Sequence, residues 1–363
     1  MTTTKQIIYV GTYTQGKPTD GIYRYDFDAA TGRLTLLRAA DGTPDPSFLS
    51  LAPDRRCLLA VSEGVDYDGE AGGGVRAYGF DRETGELTPL NGQPTHGDHP
   101  CHVSFDHSGQ WAFAANYTGG SLTMFPVYEN GLIGAPSVVV RHHGRSIHPE
   151  RQAGPHVHSA QVDPANRYLL VTDLGLDEII AYPLDLPAGR LDSSTPSVTH
   201  AEPGAGPRHL CFHSNGRFVY VSNELNSTVA AYAYDSATGH LEALQTLSTR
   251  PAGYKPYNDA ADIHLSPDAR FLFVSNRGHD SLAGFAVDAE SGLLTPLHHT
   301  PVEGHWPRNF GFDVTGRFVL VANQRSNTVT VFRFDAASGA LAFTGEKIDV
   351  PEPSFVLAVA FES

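Results

Sequence analysis

Of 363 residues only three are cysteine, two are methionine and two are tryptophan, and 25 basic residues face 40 acidic ones. Cys57, Cys101 and Cys211 are odd in number, far apart and without a C-x-x-C, so neither a disulfide framework nor a zinc site is signalled. Each reads as a small buried hydrophobe. The formal charge of −15 disfavours nucleic acid and anionic membrane as partners, because both require a basic surface. A small anionic ligand is still compatible, since a local arginine cluster reverses the field inside one cleft. No apolar run approaches the roughly 20 residues of a membrane span. The opening MTTTKQ has no secretory core, so a cytoplasmic protein is expected. G-x-S-x-G, H-E-x-x-H and Walker A sequences are missing. The glycines of GAGPRH (204–209) and GGG (72–74) precede no helical pattern, so no dinucleotide or other cofactor is expected.

What is present is one phrase written repeatedly: a turn, about five β-forming residues and a polar pair. It reads RRCLLAVSE (55–63), GQWAFAANY (109–117), NRYLLVTDL (166–174), GRFVYVSNE (216–224), ARFLFVSNR (269–277) and GRFVLVANQ (316–324). A copy without its turn, QIIYVGTY (6–13), opens the chain. The residues aligned with Arg56, Gln110, Arg167, Arg217, Arg270 and Arg317 recur at intervals of 54, 57, 50, 53 and 47. A period near 50 sustained along the whole chain marks a radial repeat whose units bury their faces against their neighbours.

Each unit divides into four short strands, as in 206–213, 216–223, 227–235 and 239–247, with Asp-x-x-x-Gly turns such as DAATG, DRETG, DAESG and DAASG before fourth strands. The N-terminus supplies only second, third and fourth strands (7–13, 21–27, 32–38), whereas the C-terminus ends on a lone first strand, 353–361. The expectation is therefore all-β: a seven-bladed β-propeller of four-stranded antiparallel blades, with the C-terminal strand completing the N-terminal blade and residues 1–363 forming one domain.

In such a blade the start of the innermost strand and the end of the second strand lie at one mouth of the central channel. The strand-one column reads Ser47, Cys101, His158, Arg208, Ala261, Arg308 and Ser354, followed by Phe48, His102, Ser159, His209, Asp262, Asn309 and Phe355. The strand-two column reads Thr12, Ser62, Asn116, Asp173, Asn223, Asn276 and Asn323, followed by Tyr13, Glu63, Tyr117, Leu174, Glu224, Arg277 and Gln324. Asn, Asp, Ser and Thr in one slot cap turns and satisfy loop backbone. The slot after it carries too many residue types for packing to dictate them, as an asymmetric ligand site requires. Candidate catalytic residues from these columns are Glu224, His158, Arg208 and Arg277; candidate substrate contacts are Arg308, His102, Asn116, Tyr117, Asn223, Asn276 and Gln324. Arginines suit a carboxylate or phosphate, and a carboxylate with a histidine suits proton transfer. The histidine-rich stretch 142–161 invites a metal reading, but His156 and His158 are two apart and face opposite ways on a strand, so no metal is assigned.

YVGTYT (9–14), GPHVHSAQVDP (154–164), DLGLD (173–177), GPRHLCFHSNGRFVYVSNE (206–224), SPDARFLFVSNRG (266–278) and NFGFDVTGRFVLVANQ (309–324) together resemble the lactonase family of seven-bladed propellers. That family includes bacterial 6-phosphogluconolactonases and fungal carboxy-cis,cis-muconate cyclases. In the cyclase branch a histidine, arginines and a glutamate at the channel mouth form the proposed site; by motif these map onto His156 or His158, Arg208, Glu224 and Arg277. His156 enters through the Pro-His-x-His match alone. The resemblance implies a metal-independent lactonase of carbohydrate metabolism acting on 6-phosphoglucono-δ-lactone in the pentose phosphate pathway. Glu224 or a rim histidine would be the general base, Arg208 or Arg277 the oxyanion donor, and Arg308 or another rim cation the phosphate contact. A carboxymuconate cycloisomerase on the same fold and a non-enzymatic propeller binding a protein partner are the alternatives. No oligomeric state is specified.

Overall fold

The computed structural model describes residues 5–361 apart from 18 and 41. The expected one-domain span of 1–363, and the first four residues of MTTTKQ, extend beyond the described residues. Seven antiparallel blades follow one another around a channel, as expected. Their innermost strands are Pro353–Phe361, Leu49–Leu51, Pro100–Phe105, Val157–Val162, Pro207–Phe212, Asp259–Leu265 and Pro307–Phe312, for blades 1 to 7. Blade 2 carries an extra hairpin, Asp66–Tyr67 with Glu70–Ala71, and blade 4 a short strand Arg190–Leu191 beside its third strand. No helix among the described residues is long and apolar enough to cross a membrane.

The termini close the ring. Lys5–Thr12 pairs with the C-terminal strand from Lys5↔Phe361 to Thr12↔Pro353. Blade 1 then packs on blade 7 through Ile8, Val10, Tyr25 and Phe27 against Phe318, Leu320, Val329 and Val331, all buried. At roughly 1.5–3 kcal/mol for each large apolar side chain, one such interface rivals the whole net stability of a domain.

The repeated phrase has a second use that its sequence does not announce. Its arginine reaches across to a turn of the next blade: Arg217 Nη2 donates to the Glu290 carbonyl at 3.0 Å, and Arg317 Nη2 to the Ala29 carbonyl at 2.6 Å. Arg167 and Arg270 do the same to Ser236 and Ala336. The aromatic residue after the arginine lies under the glycine that ends that turn. A Cβ on Gly292 would stand 2.4 Å from Phe218, one on Gly339 2.5 Å from Phe271 and one on Gly32 2.7 Å from Phe318. These glycines also have φ near +73°, +77° and +86°, so the Asp-x-x-x-Gly turns need glycine for backbone and for packing.

Gly32→Ala is therefore expected to lower the unfolding free energy by about 2–4 kcal/mol, from left-handed strain plus overpacking on Phe318. Gly253→Ala, with φ +80° and nothing within 4 Å of the added carbon, meets the strain alone. It should cost about 1 kcal/mol. Equal losses for the two in urea unfolding would show that the Phe318 contact contributes nothing.

Candidate active site

The bulges of the innermost strands aim the site. In blade 5 the register passes from Pro207↔Asn223 to His209↔Ser222, leaving Arg208 as an extra, unpaired residue. The same skip isolates Cys101, His158 and Arg308 in blades 3, 4 and 7. A bulge re-aims the side chain it isolates. Opposite, the ends of four second strands present Tyr117, Glu224, Arg277 and Gln324 to the channel. A pocket of about 510 Å³ opens where they converge, lined by His158, Tyr117, Glu224, Arg277, Arg308 and Gln324 from the expected set. Glu63 and Cys101, members of the same columns, line it too.

Glu224 is its centre. Oε2 lies 2.7 Å from Arg277 Nη2 and 3.0 Å from Arg208 Nε, and Oε1 accepts from Arg151 Nη2. His158 Nε2 stands 4.0 Å from Oε2. The side chains of Glu224, Arg208 and Arg277 are at most 5% exposed. Burial alone would raise the Glu224 pKa, but Arg277, Arg208 and Arg151 outweigh it and hold the carboxyl well below the usual range. Burial, then Arg277, brings Arg208 down to about 10. Burial, then Arg208, keeps His158 well below its ordinary value, so its imidazole is neutral.

Five of the expected contacts are elsewhere. Asn116 Nδ2 donates to Ser121 Oγ at 3.0 Å, Asn223 Nδ2 to Thr228 Oγ1 at 2.9 Å and Asn276 Nδ2 to the Thr249 carbonyl at 2.7 Å. All three are buried in strand-end hydrogen bonding and do not line the pocket, because the amide reaches its own hairpin, or for Asn276 the neighbouring connection at Thr249, more easily than the channel. His102 is sealed deeper in the channel, its ring 4.4 Å from that of Phe48. His156 stacks on Tyr117 at 4.5 Å, with Nδ1 3.0 Å from the Tyr117 carbonyl, and supports the wall from behind. Arg208 is in the cluster but under Glu224, outside the pocket lining.

Arg151, Tyr257, Asp259, Trp306 and Arg325 line the pocket and were not anticipated. They come from loops or from a strand start that the repeat does not align. Arg151 rides on the long 142–156 loop, which is held by His142 Nδ1 to Asp173 Oδ2 at 2.7 Å and by Gln152 Nε2 to the Leu174 carbonyl at 2.9 Å. Its sequence signal is weak, one of two arginines, Arg145 and Arg151, in a histidine-rich stretch outside the repeat. Trp306 has φ +66°, strained for a bulky residue, and is fixed by Asp280 Oδ1 on its backbone nitrogen at 2.8 Å. That conformation puts its indole under the Arg325 guanidinium at 3.4 Å and 5.5 Å from that of Arg277.

The family described as "Lactonase, 7-bladed beta-propeller" matches residues 7–358. The chain belongs to that lactonase family. Among its relatives, the 6-phosphogluconolactonase of Bacillus subtilis is 37% identical over 96% of this chain and 97% of its own. That of Formosa agariphila is 36% identical over 92% and 94%. The structure of a periplasmic gluconolactonase from Pseudomonas aeruginosa, 40% identical, superposes with a TM-score of 0.92 over 99% of this lactonase and 100% of that chain.

Replacing Glu224 leaves three guanidinia around a neutral amide. Glu224→Gln is expected to lose about 3–5 kcal/mol of unfolding free energy at pH 7. The folded-state pKa lies below the ordinary 4.5, so this contribution is full above that pH and lost as pH falls toward the folded value. Wild type and variant should therefore converge in stability as the medium is acidified. Equal stability at pH 7 would refute the clamp.

Proposed function

We propose that this lactonase hydrolyses 6-phosphoglucono-δ-lactone to 6-phosphogluconate by direct attack of water. The observation that carries the reading is the distribution of arginines in the pocket. Arg277 and Arg151 are neutralised by Glu224, whereas Arg308 and Arg325 line the same pocket with no carboxylate within ion-pair distance among the described residues. A guanidinium without an internal partner is a natural phosphate contact. Arg308 is held over the Tyr13 ring at 5.2 Å, and Tyr13 in turn donates to Glu63 Oε2 at 2.8 Å. The relatives named 6-phosphogluconolactonase support the same substrate.

In this reading the lactone carbonyl faces Arg277, whose guanidinium stabilises the oxyanion of the tetrahedral intermediate in a site largely withdrawn from water. Glu224 does not act as the base. Its oxygens are occupied by guanidinium donors and its affinity for a proton is suppressed, so its role is to hold Arg277 and Arg151 at fixed positions. His158 is likewise a poor proton acceptor, because an imidazolium there would be buried among cations; it serves as a neutral hydrogen-bonding wall. Arg208 supports Glu224 from beneath. The lactone opens slowly unaided, so only a modest part of the barrier has to be removed. A doubly charged sugar phosphate does not cross membranes unaided, and a cytoplasmic site of action forms part of the proposal.

The test is hydrolysis by the purified protein after EDTA treatment, with phosphorylated and unphosphorylated glucono-δ-lactone compared. Preference for the phosphorylated lactone is expected, undiminished by EDTA. Arg325→Ala should raise KM for the phosphorylated lactone by about tenfold, the worth of one charge-assisted contact. It should leave KM for the unphosphorylated lactone within about twofold. Equal effects on both substrates would remove Arg325 from the phosphate site, and no hydrolysis of either would overturn the reading.

A further inference from the structure

We propose that Asp259 is the general base that takes the proton from the attacking water, with the Tyr257 hydroxyl orienting it; this rests on the lactonase reading above. The first argument is elimination among the carboxylates lining the pocket. Glu224 is held by Arg151, Arg208 and Arg277. Glu63 accepts from Tyr13 and from Ser47, both on Oε2, and faces the unpaired Arg308 side of the pocket. Asp259 accepts one hydrogen bond, from Tyr257 to Oδ2 at 2.5 Å, and its Oδ1 has no hydrogen-bond partner among the described residues. Glu63 Oε1 is open as well among the described residues, but on the Arg308 side, so Asp259 is the carboxylate with an open oxygen beside Arg277.

The second argument is position. Asp259 opens the innermost strand of blade 6 and sits directly opposite Arg277 in the ladder. Its Oδ2 lies 3.9 Å from Arg277 Nη2, the nitrogen whose other side meets Glu224 at 2.7 Å. A carbonyl oxygen bound at Arg277 thus has Asp259 beside it, within reach of a water placed between carboxylate and carbonyl carbon. The backbone is built for this approach. Gly278 follows Arg277 at φ +121°, and a Cβ there would stand 2.3 Å from the Tyr257 carbonyl oxygen. Asn258 is pinned by its amide to Ser227 Oγ at 3.0 Å and to Asn276 Oδ1 at 2.9 Å. Asn276, expected to touch substrate, instead anchors the segment that carries the base.

The charged and titratable groups that bear on Asp259 are Glu224, Arg277, Tyr257 and Arg151. Burial first and the Glu224 charge second raise its proton affinity, against the opposing effect of Arg277, the Tyr257 hydrogen bond and Arg151. Two neighbouring carboxylates, one suppressed and one raised, divide the roles of anchor and base between them. In the step itself, water oxygen bonds to the carbonyl carbon while its proton passes to Asp259, and the carbonyl π pair moves onto the oxygen held by Arg277. Collapse re-forms the carbonyl and breaks the bond to the ring oxygen, which takes the proton from Asp259. The hydroxy acid leaves and ionises in solvent, and Asp259 is again a carboxylate.

The experiment measures kcat and KM across pH for wild type, Asp259→Asn and Tyr257→Phe, with thermal unfolding recorded for each. Asp259→Asn should lower kcat by at least about a hundredfold, with KM changed little, and abolish the acid limb of the pH profile. Tyr257→Phe removes a hydrogen bond that favours the carboxylate, so its acid limb should move to higher pH, whatever the change in its plateau rate. Should Asp259→Asn fail to fold, the Tyr257→Phe shift decides. An active wild type with an unshifted Tyr257→Phe profile, or a folded Asp259→Asn within a few-fold of wild type, overturns this assignment and leaves the lactonase reading standing. A wild type inert toward both lactones overturns the two together.

Discussion

The channel mouth depends on a single buried negative charge. Arg208 and Arg277 are almost wholly withdrawn from solvent, and two uncompensated guanidinia in such a place would cost far more than the fold has to give. Glu224 makes them tolerable, and they in turn make Glu224 tolerable. What looks in isolation like a catalytic carboxylate is thus first an electrostatic keystone. Its neighbours inherit their properties from it: Arg151 is drawn in from a loop, Arg277 is held still, and the proton affinity of Asp259 is raised by the charge beside it.

The ring supplies the geometry that makes such crowding possible. Seven innermost strands run alongside one axis, and a bulge at the same point of several of them turns one side chain inward per blade. The frame is stiff because four successive interfaces are stapled twice, by an arginine on the next blade's turn and by an aromatic ring under that turn's glycine. Positions within it are consequently free to differ without disturbing the fold. A symmetric frame with an asymmetric lining is what a single small ligand needs, and the strain at Trp306 shows that the frame tolerates a local cost at its rim.

Much of this was legible in the sequence because the repeat aligned it. The closure by residues 353–361 followed from counting strands, and the two columns picked out His158, Glu224, Arg277, Arg308, Tyr117 and Gln324, all of which line the pocket. The columns failed where a residue type has two uses. Asn116, Asn223 and Asn276 looked like ligand contacts and instead hold strand ends and the adjoining connection, since an amide one residue before a turn finds backbone and hydroxyl partners nearer than any substrate. They failed again where no repeat exists. Arg151, Tyr257, Trp306 and Arg325 stand in connections of unequal length, and Asp259 begins its strand two residues before the aligned slot at Ala261. No internal comparison could bring those residues into register.

The proposed reassignment of the base from Glu224 to Asp259 has the same origin. A column reports which side chains converge but not how many donors each will meet, and proton affinity is set by the second quantity. Glu224 and Asp259 differ little as residue types; one meets three guanidinia at close range and the other a single hydroxyl, with one guanidinium 3.9 Å away. The three guanidinia hold the first carboxylate well below its usual range, whereas burial and then the Glu224 charge raise the proton affinity of the second. In the proposed mechanism the division of roles between the two carboxylates is therefore set by their surroundings and not by residue type. A shared fold and a shared Glu–Arg motif accordingly do not by themselves fix the chemistry that a given propeller performs.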